Sequence, residues 1–168
     1  MQNTTFSQTK MIKLQDMLRK HNKTITTAES CTGGLIAHMI TKVSGSSDIF
    51  NGAIVSYSNE IKNQELNVKN TTLEKYGAVS IEVVNEMLAG ALSKFKADYA
   101  IAVSGIAGPT GGTEKKPVGT VVIGFECKNI DKIVVSKHFK GSREEVQVKA
   151  ANYVFEEISK FIEKTIDK

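Results

Sequence analysis

The chain has 168 residues, 40% of them apolar, and 22 basic against 18 acidic side chains leave a net charge of +4. That length suits a single domain spanning residues 1–168, able to bury roughly 70% of its unfolded surface without a disulfide or a structural metal. The charges are interleaved and there is no tryptophan, which argues against a nucleic-acid groove with its basic stripe and stacking aromatics.

The N-terminal stretch MQNTTFSQTKMIKLQDML is polar and lacks the apolar core of a secretory signal. No apolar run reaches the ~18 residues that a membrane span requires. Cys31 and Cys127 lie far apart and form no CxxC pair, so free thiols in a reducing compartment are expected, with the protein in the cytoplasm.

From residue 7 to 21, Met11, Leu14, Met17 and Leu18 recur at helical spacing and predict an amphipathic helix. KTITTAES is short and β-branched, a strand that runs into CTGG. Leu35, Ile36, Met39 and Ile40 then mark a second helix that Gly45 would stop. IFNGAIVSYS reads as a second strand, and NEIKNQELN and TTLEKYG as short helices with a break at residues 67–70. Ser80 is a good cap for a long helix whose inner face carries Val84, Met87, Leu88, Ala91, Leu92 and Phe95.

ADYAIAVSGIAG is apolar without alternation, as befits a strand buried on both faces. VGTVVIGFECK and DKIVVSKHFKG alternate and are joined by a short turn, which predicts an antiparallel hairpin. Ser142 and Glu145 form a capping box ahead of a final helix facing the core with Val146, Ala150, Val154, Ile158 and Phe161. The expected fold is α/β: a three-layer α/β/α sandwich with a mixed, mostly parallel sheet and a late antiparallel hairpin. The glycine-rich stretch from 105 to 119 is the one long irregular loop.

Chemistry is expected first at residues 26–40, TTAESCTGGLIAHMI. A serine between the end of a strand and the start of a helix lies on the ligand face of an open α/β sheet, near unpaired N–H groups. Ser30 there could attack a carbonyl. Thr32, Gly33 and Gly34 could line the approach of a substrate, the glycines by leaving the backbone bare. On spacing alone the same residues serve equally as a helix cap, and Glu29 either orients a base or caps as well. Cys31 reads as a small packed residue.

None of His21, His38 and His138 is well placed as a base, and no spacing suggests a metal site. SYSNEIK places Tyr57 and Lys62 just after an apolar strand. A lysine can act as a base when burial lowers its pKa, although a lone lysine at this position also reads as a surface residue. In SGIAGPTGGTEKKPVGT, consecutive small residues can form an anion-binding concavity or simply a mobile loop; the P-loop spacing is missing. Arg143 at the first turn of the last helix suits a phosphate.

TAESCTGG (27–34), GAIVSYSNEIK (52–62), LEKYGAVS (73–80), VSGIAGPTGGTEKKPVGTV (103–121) and GSRE (141–144) occur in this order and cover nearly the whole chain. Together they resemble the CinA C-terminal domain family, whose characterised enzymes are nicotinamide-nucleotide amidohydrolases. The resemblance implies an α/β/α fold and hydrolysis of the amide of nicotinamide mononucleotide (NMN) to nicotinic acid mononucleotide and ammonia, with neither metal nor cofactor. It implies Ser30 as nucleophile with Tyr57 and Lys62 close to it; Lys62 is then expected to serve as the base of Ser30, and Tyr57 to hold the lysine or relay a proton. Ser104, the loop from Gly108 through Gly111 and Gly112 to Thr113, and Arg143 match the nucleotide-binding region.

Thr110 stands where the family often has a third glycine, and Gln147 where it often has a second arginine. Longer members carry an N-terminal molybdopterin-binding-like domain, for which 168 residues leave no room. The implied partner is a small nucleotide, with no nucleic acid and no membrane; self-association into a homo-oligomer stays open. The alternative is a non-catalytic nucleotide- or partner-binding domain of a competence/damage-inducible protein.

Overall fold

The computed structural model describes residues 6–168; the first five residues of the polar N-terminal stretch lie outside the described residues. In chain order the elements are α1 (Gln8–Lys20), β1 (Ile25–Glu29), α2 (Leu35–Thr41), β2 (Ala53–Val55), α3 (Asn59–Leu66), α4 (Asn70–Tyr76), α5 (Ile81–Phe95), β3 (Tyr99–Gly105), β4 (Thr120–Cys127), β5 (Asp131–His138) and α6 (Arg143–Thr165). A short 3₁₀ turn, Ser46–Asp48, lies between α2 and β2.

The five strands form one sheet in the order β2-β1-β3-β4-β5. β1 is parallel to both β2 and β3, while β4 and β5 are antiparallel additions. Helices cover both faces, as three-layer packing requires. One apolar cluster joins α1, α2 and α6 to the sheet through Leu18, Ile36, Val154 and Phe155. The other joins α3, α4 and α5 to the opposite face through Leu66, Leu73, Val84 and Leu88. β3 is buried through Ser104 on both sides, which is why its sequence shows no alternation.

The caps fall where the side chains predict. Ser80 accepts from the N–H of Val83, and Ser142 with Glu145 forms the complete capping box of α6. The second strand is shorter than the run from 49 to 58 suggests: the ladder closes only over Ala53–Val55. Ile49 is buried in the core at the end of the 3₁₀ turn, and Gly52 lies against the ring of Phe95, so the residues before Ala53 touch β1 through single bonds, such as Ile25 N–H to the carbonyl of Ile49 at 2.8 Å, without continuing the ladder. Among the described residues no helix is long and apolar enough to cross a membrane.

Two crossovers leave the C-terminal ends of neighbouring parallel strands toward opposite faces. β1 leads into α2 on one face, and β2 leads into α3 on the other. Such a reversal opens a crevice beyond the strand ends where ligands bind in open α/β sheets. Gly90 of α5 tightens this arrangement, because a side chain there would run into the backbone carbonyl of Leu66 at the end of α3. α3, which carries Lys62, can therefore lie directly against α5.

Candidate active site

Ser30 is the first residue after β1, anchored by its N–H to the carbonyl of Val103 at 3.0 Å. The side chains of β1 alternate, so Glu29 faces α2 and Ser30 faces α3. Lys62 reaches back from α3 and places Nζ 3.1 Å from Ser30 Oγ and 2.8 Å from the carbonyl oxygen of Ser56. Lys62 is only 1% exposed. Among the described residues it forms no ion pair. Removal from water without a compensating carboxylate disfavours the ammonium form. Burial thus pulls Lys62 from its ordinary 10.5 down to about 8.

The neighbouring thiol is pushed the other way. Burial raises Cys31 to about 12, so its thiolate is scarcely populated near neutrality, and its side chain packs in the core beside Gly105. Of the two adjacent nucleophile types, only the serine meets a base.

Glu29 is fully buried and holds the turn together. Its Oε1 accepts from Thr32 Oγ1 at 2.8 Å and from the N–H of Ile36 at 2.9 Å. Its Oε2 accepts from the N–H of Ala37 at 2.8 Å and from Thr27 Oγ1 at 3.3 Å. The residue before α2 is Gly34, which has no side chain to cap the helix, so a carboxylate from the preceding strand caps it instead. Helical N–H groups that could have faced a substrate are therefore engaged.

The turn itself keeps others free. The N–H of Gly33 closes onto Ser30 O and that of Leu35 onto Thr32 O. The N–H groups of Thr32 and Gly34 have no acceptor among the described residues. Gly33 and Gly34 have φ of +59° and +96°, which a residue with a Cβ adopts only under strain.

Arg143 stands at the first turn of α6 and joins two loops. Its Nη1 donates to the carbonyl of Gly108 at 2.8 Å and its Nη2 to the hydroxyl of Tyr57 at 2.6 Å. One turn further along α6, Gln147 donates to the carbonyl of Cys31 at 2.8 Å. The start of α6 thus ties together the serine turn, the loop after β2 and the glycine-rich loop. The role of Gln147 in bracing the serine turn is one that the sequence did not signal. Its amide donor suits a backbone carbonyl, which is the only available clue.

The other expected residues divide clearly. Tyr57 is exposed and bonded to Arg143, with no hydrogen bond to Lys62 or Ser30. Ser104 is buried and donates to the carbonyl of Ala78 at 2.7 Å, fastening β3 to the segment before α5. In the glycine-rich loop Gly108 is positioned by Arg143, and Gly111 is exposed with φ of +89°. A Cβ on Gly112 would lie 2.7 Å from the N–H nitrogen of Val118, so the loop folds tightly on itself there. Thr113 closes a turn with Lys116, whose Nζ reaches the carbonyl of Tyr76 at 2.8 Å. The histidines lie elsewhere: His21 bonds Met17 O, His138 bonds Val118 O, and His38 is exposed on α2.

A buried lysine meets a serine hydroxyl at the switch point of the sheet, so fold and site together define an α/β/α domain with a serine–lysine pair beyond the parallel strands. The chain belongs to the CinA C-terminal domain family, whose model matches residues 7–162. It is 46% identical over 149 residues to the nicotinamide-nucleotide amidohydrolase PncC of Escherichia coli, covering 88% of this chain and 90% of that protein. It is 50% identical over 131 residues to a CinA-like protein of Prochlorococcus marinus, covering 78% of this chain but spanning only 31% of that longer relative. The crystal structure of a CinA superfamily protein from Klebsiella pneumoniae superposes with a TM-score of 0.88 at 31% identity, over 93% of this chain and 97% of that one.

Proposed function

We propose that this protein hydrolyses the carboxamide of NMN to nicotinic acid mononucleotide and ammonia, with Ser30 as nucleophile and Lys62 as its base. The observation that carries the chemistry is the 3.1 Å contact between Ser30 Oγ and a buried lysine that has no counter-ion among the described residues. The substrate is argued from the likeness to PncC, which extends over nearly the full length of both chains. Neutral Lys62 takes the serine proton as Oγ bonds to the carboxamide carbon. The N–H groups of Thr32 and Gly34 are among the donors in this turn that are available for the oxyanion. Lys62 then returns the proton to the leaving nitrogen, and ammonia departs. Water, deprotonated by the same lysine, cleaves the acyl-serine and restores Ser30.

A coupled assay for ammonia tests this directly: the purified protein releases ammonia from NMN and much less from nicotinamide, which lacks the phosphate. Absence of turnover with NMN still bound would instead favour a binding module; absence of both would favour a partner domain.

Arg143 supplies the phosphate end of this reading. A guanidinium has five N–H donors, and the two hydrogen bonds to Gly108 and Tyr57 leave others for an anion. Arg143→Ala is expected to lower kcat/KM for NMN roughly 10- to 100-fold, the scale of a lost charge-assisted contact, while the slow reaction of nicotinamide is unchanged. Equal kinetics on NMN would remove Arg143 from the site.

A further inference from the structure

Tyr57 is 60% exposed, yet its backbone lies beside the reaction centre. It follows Ser56, which is fully buried, donates its N–H to the carbonyl of Glu29, and accepts from Lys62 Nζ. Its ring stacks on no other aromatic ring and carries no cation on its face among the described residues. Its hydroxyl is pinned at the far end by Arg143 at 2.6 Å. An aromatic ring held at its tip and left open on its face is a prepared contact surface.

The groups along this tyrosine fall in a definite order. Ser30 and Lys62 lie near its backbone, the ring comes next, and a guanidinium stands at its tip. NMN has a matching order: a carboxamide on a positively charged pyridinium ring, then ribose, then phosphate. A cation over an aromatic face is attracted by the ring quadrupole, and more strongly where water is excluded. We propose that Tyr57 is a specificity-determining residue whose ring face receives the pyridinium cation, so that the site selects N-substituted, charged nicotinamides over the neutral base. This rests on the reading of the substrate as NMN. It assigns the ring, and not the hydroxyl, the decisive part, since the hydroxyl reaches neither Ser30 nor Lys62.

The test compares Tyr57→Phe with Tyr57→Leu. Both lose the bond to Arg143, so any difference between them belongs to the ring. Binding of 1-methylnicotinamide, a cation without phosphate, and of neutral nicotinamide is titrated by NMR in all three proteins, and kcat and KM for NMN are measured alongside. The wild type and Tyr57→Phe are expected to favour the cation by about 5- to 30-fold. In Tyr57→Leu the preference collapses to within about twofold, with KM for NMN raised and kcat little changed.

A preference retained in Tyr57→Leu, or none in the wild type, overturns the proposal. So does a Tyr57→Phe protein whose cation preference collapses and whose KM for NMN rises as far as in Tyr57→Leu, because the hydroxyl would then be the working group. The binding arm needs no turnover. A protein that fails to hydrolyse NMN yet shows the ring-dependent preference refutes the proposed activity but keeps this assignment, and turnover without the preference does the reverse.

Discussion

Ser30→Ala is expected to lower NMN deamidation by about 10⁴-fold or more. In a covalent route the nucleophile and its base act as a unit, and loss of either removes nearly all of the contribution of both. The buried Lys62 Nζ would remain 2.8 Å from Ser56 O but would face a methyl group instead of a hydroxyl. Cys31 cannot stand in, since burial holds its thiol near 12 and its side chain is in the core. If water attacked directly and Ser30 only donated a hydrogen bond, the loss would be roughly 10²–10³. A variant that keeps a tenth of its rate would rule out the covalent route. Ser30 is nearly buried and small, so the substitution leaves the fold intact, and a circular dichroism spectrum checks that.

Lys62→Met is expected to abolish turnover and to make the protein more stable at pH 7. The lysine titrates at about 8 in the folded chain against an ordinary 10.5, and a shift of that size corresponds to about 3 kcal/mol. A lysine with a lowered folded pKa destabilises the fold in full below about pH 8, where the unfolded chain and the folded chain both carry the proton. Between pH 8 and 10.5 the unfolded state binds more protons, so stability rises with pH, and above 10.5 the penalty is gone. Methionine fills similar space without a charge. It leaves the carbonyl of Ser56 without a donor, at about 1 kcal/mol.

The variant should therefore gain about 2 kcal/mol at pH 7 and lose that advantage as the pH approaches 10.5. Urea unfolding of both proteins across this range measures the difference, and a gap independent of pH would show that Lys62 is not the strained group. The same titration shapes catalysis. In the proposed mechanism neutral Lys62 is the active form, so kcat/KM should rise about tenfold per pH unit toward about pH 8 and level off above it. A base buried at the expense of stability is a common compromise at active sites.

Most of the fold was legible because its determinants are local. The caps at Ser80 and Ser142, the helical spacing of α5 and α6, the unbroken apolar run of β3 and the turn between β4 and β5 each act within a few residues. The second strand was overestimated because a β-branched, aromatic run records only a tendency to be extended. Whether such a run pairs depends on what lies beside it, and here Ile49 and Gly52 pack rather than join the ladder.

By itself the sequence determined the strand–turn–helix that carries Ser30, with its pair of glycines, and the nature of the family. Only the tertiary structure decided which side chains meet. Ser30 and Lys62 are 32 positions apart, and Tyr57 and Arg143 are 86 apart; no local periodicity encodes either distance. On pattern alone Lys62 read more readily as a surface residue. It is buried against Ser30 because β1 and β2 send their connections to opposite faces and α3 packs closely over Gly90. Glu29 and Ser104 fell among the expected ligand contacts for the same reason. A polar side chain near the end of a strand suits a substrate or a helix end equally well, and burial gave both of them partners within the fold.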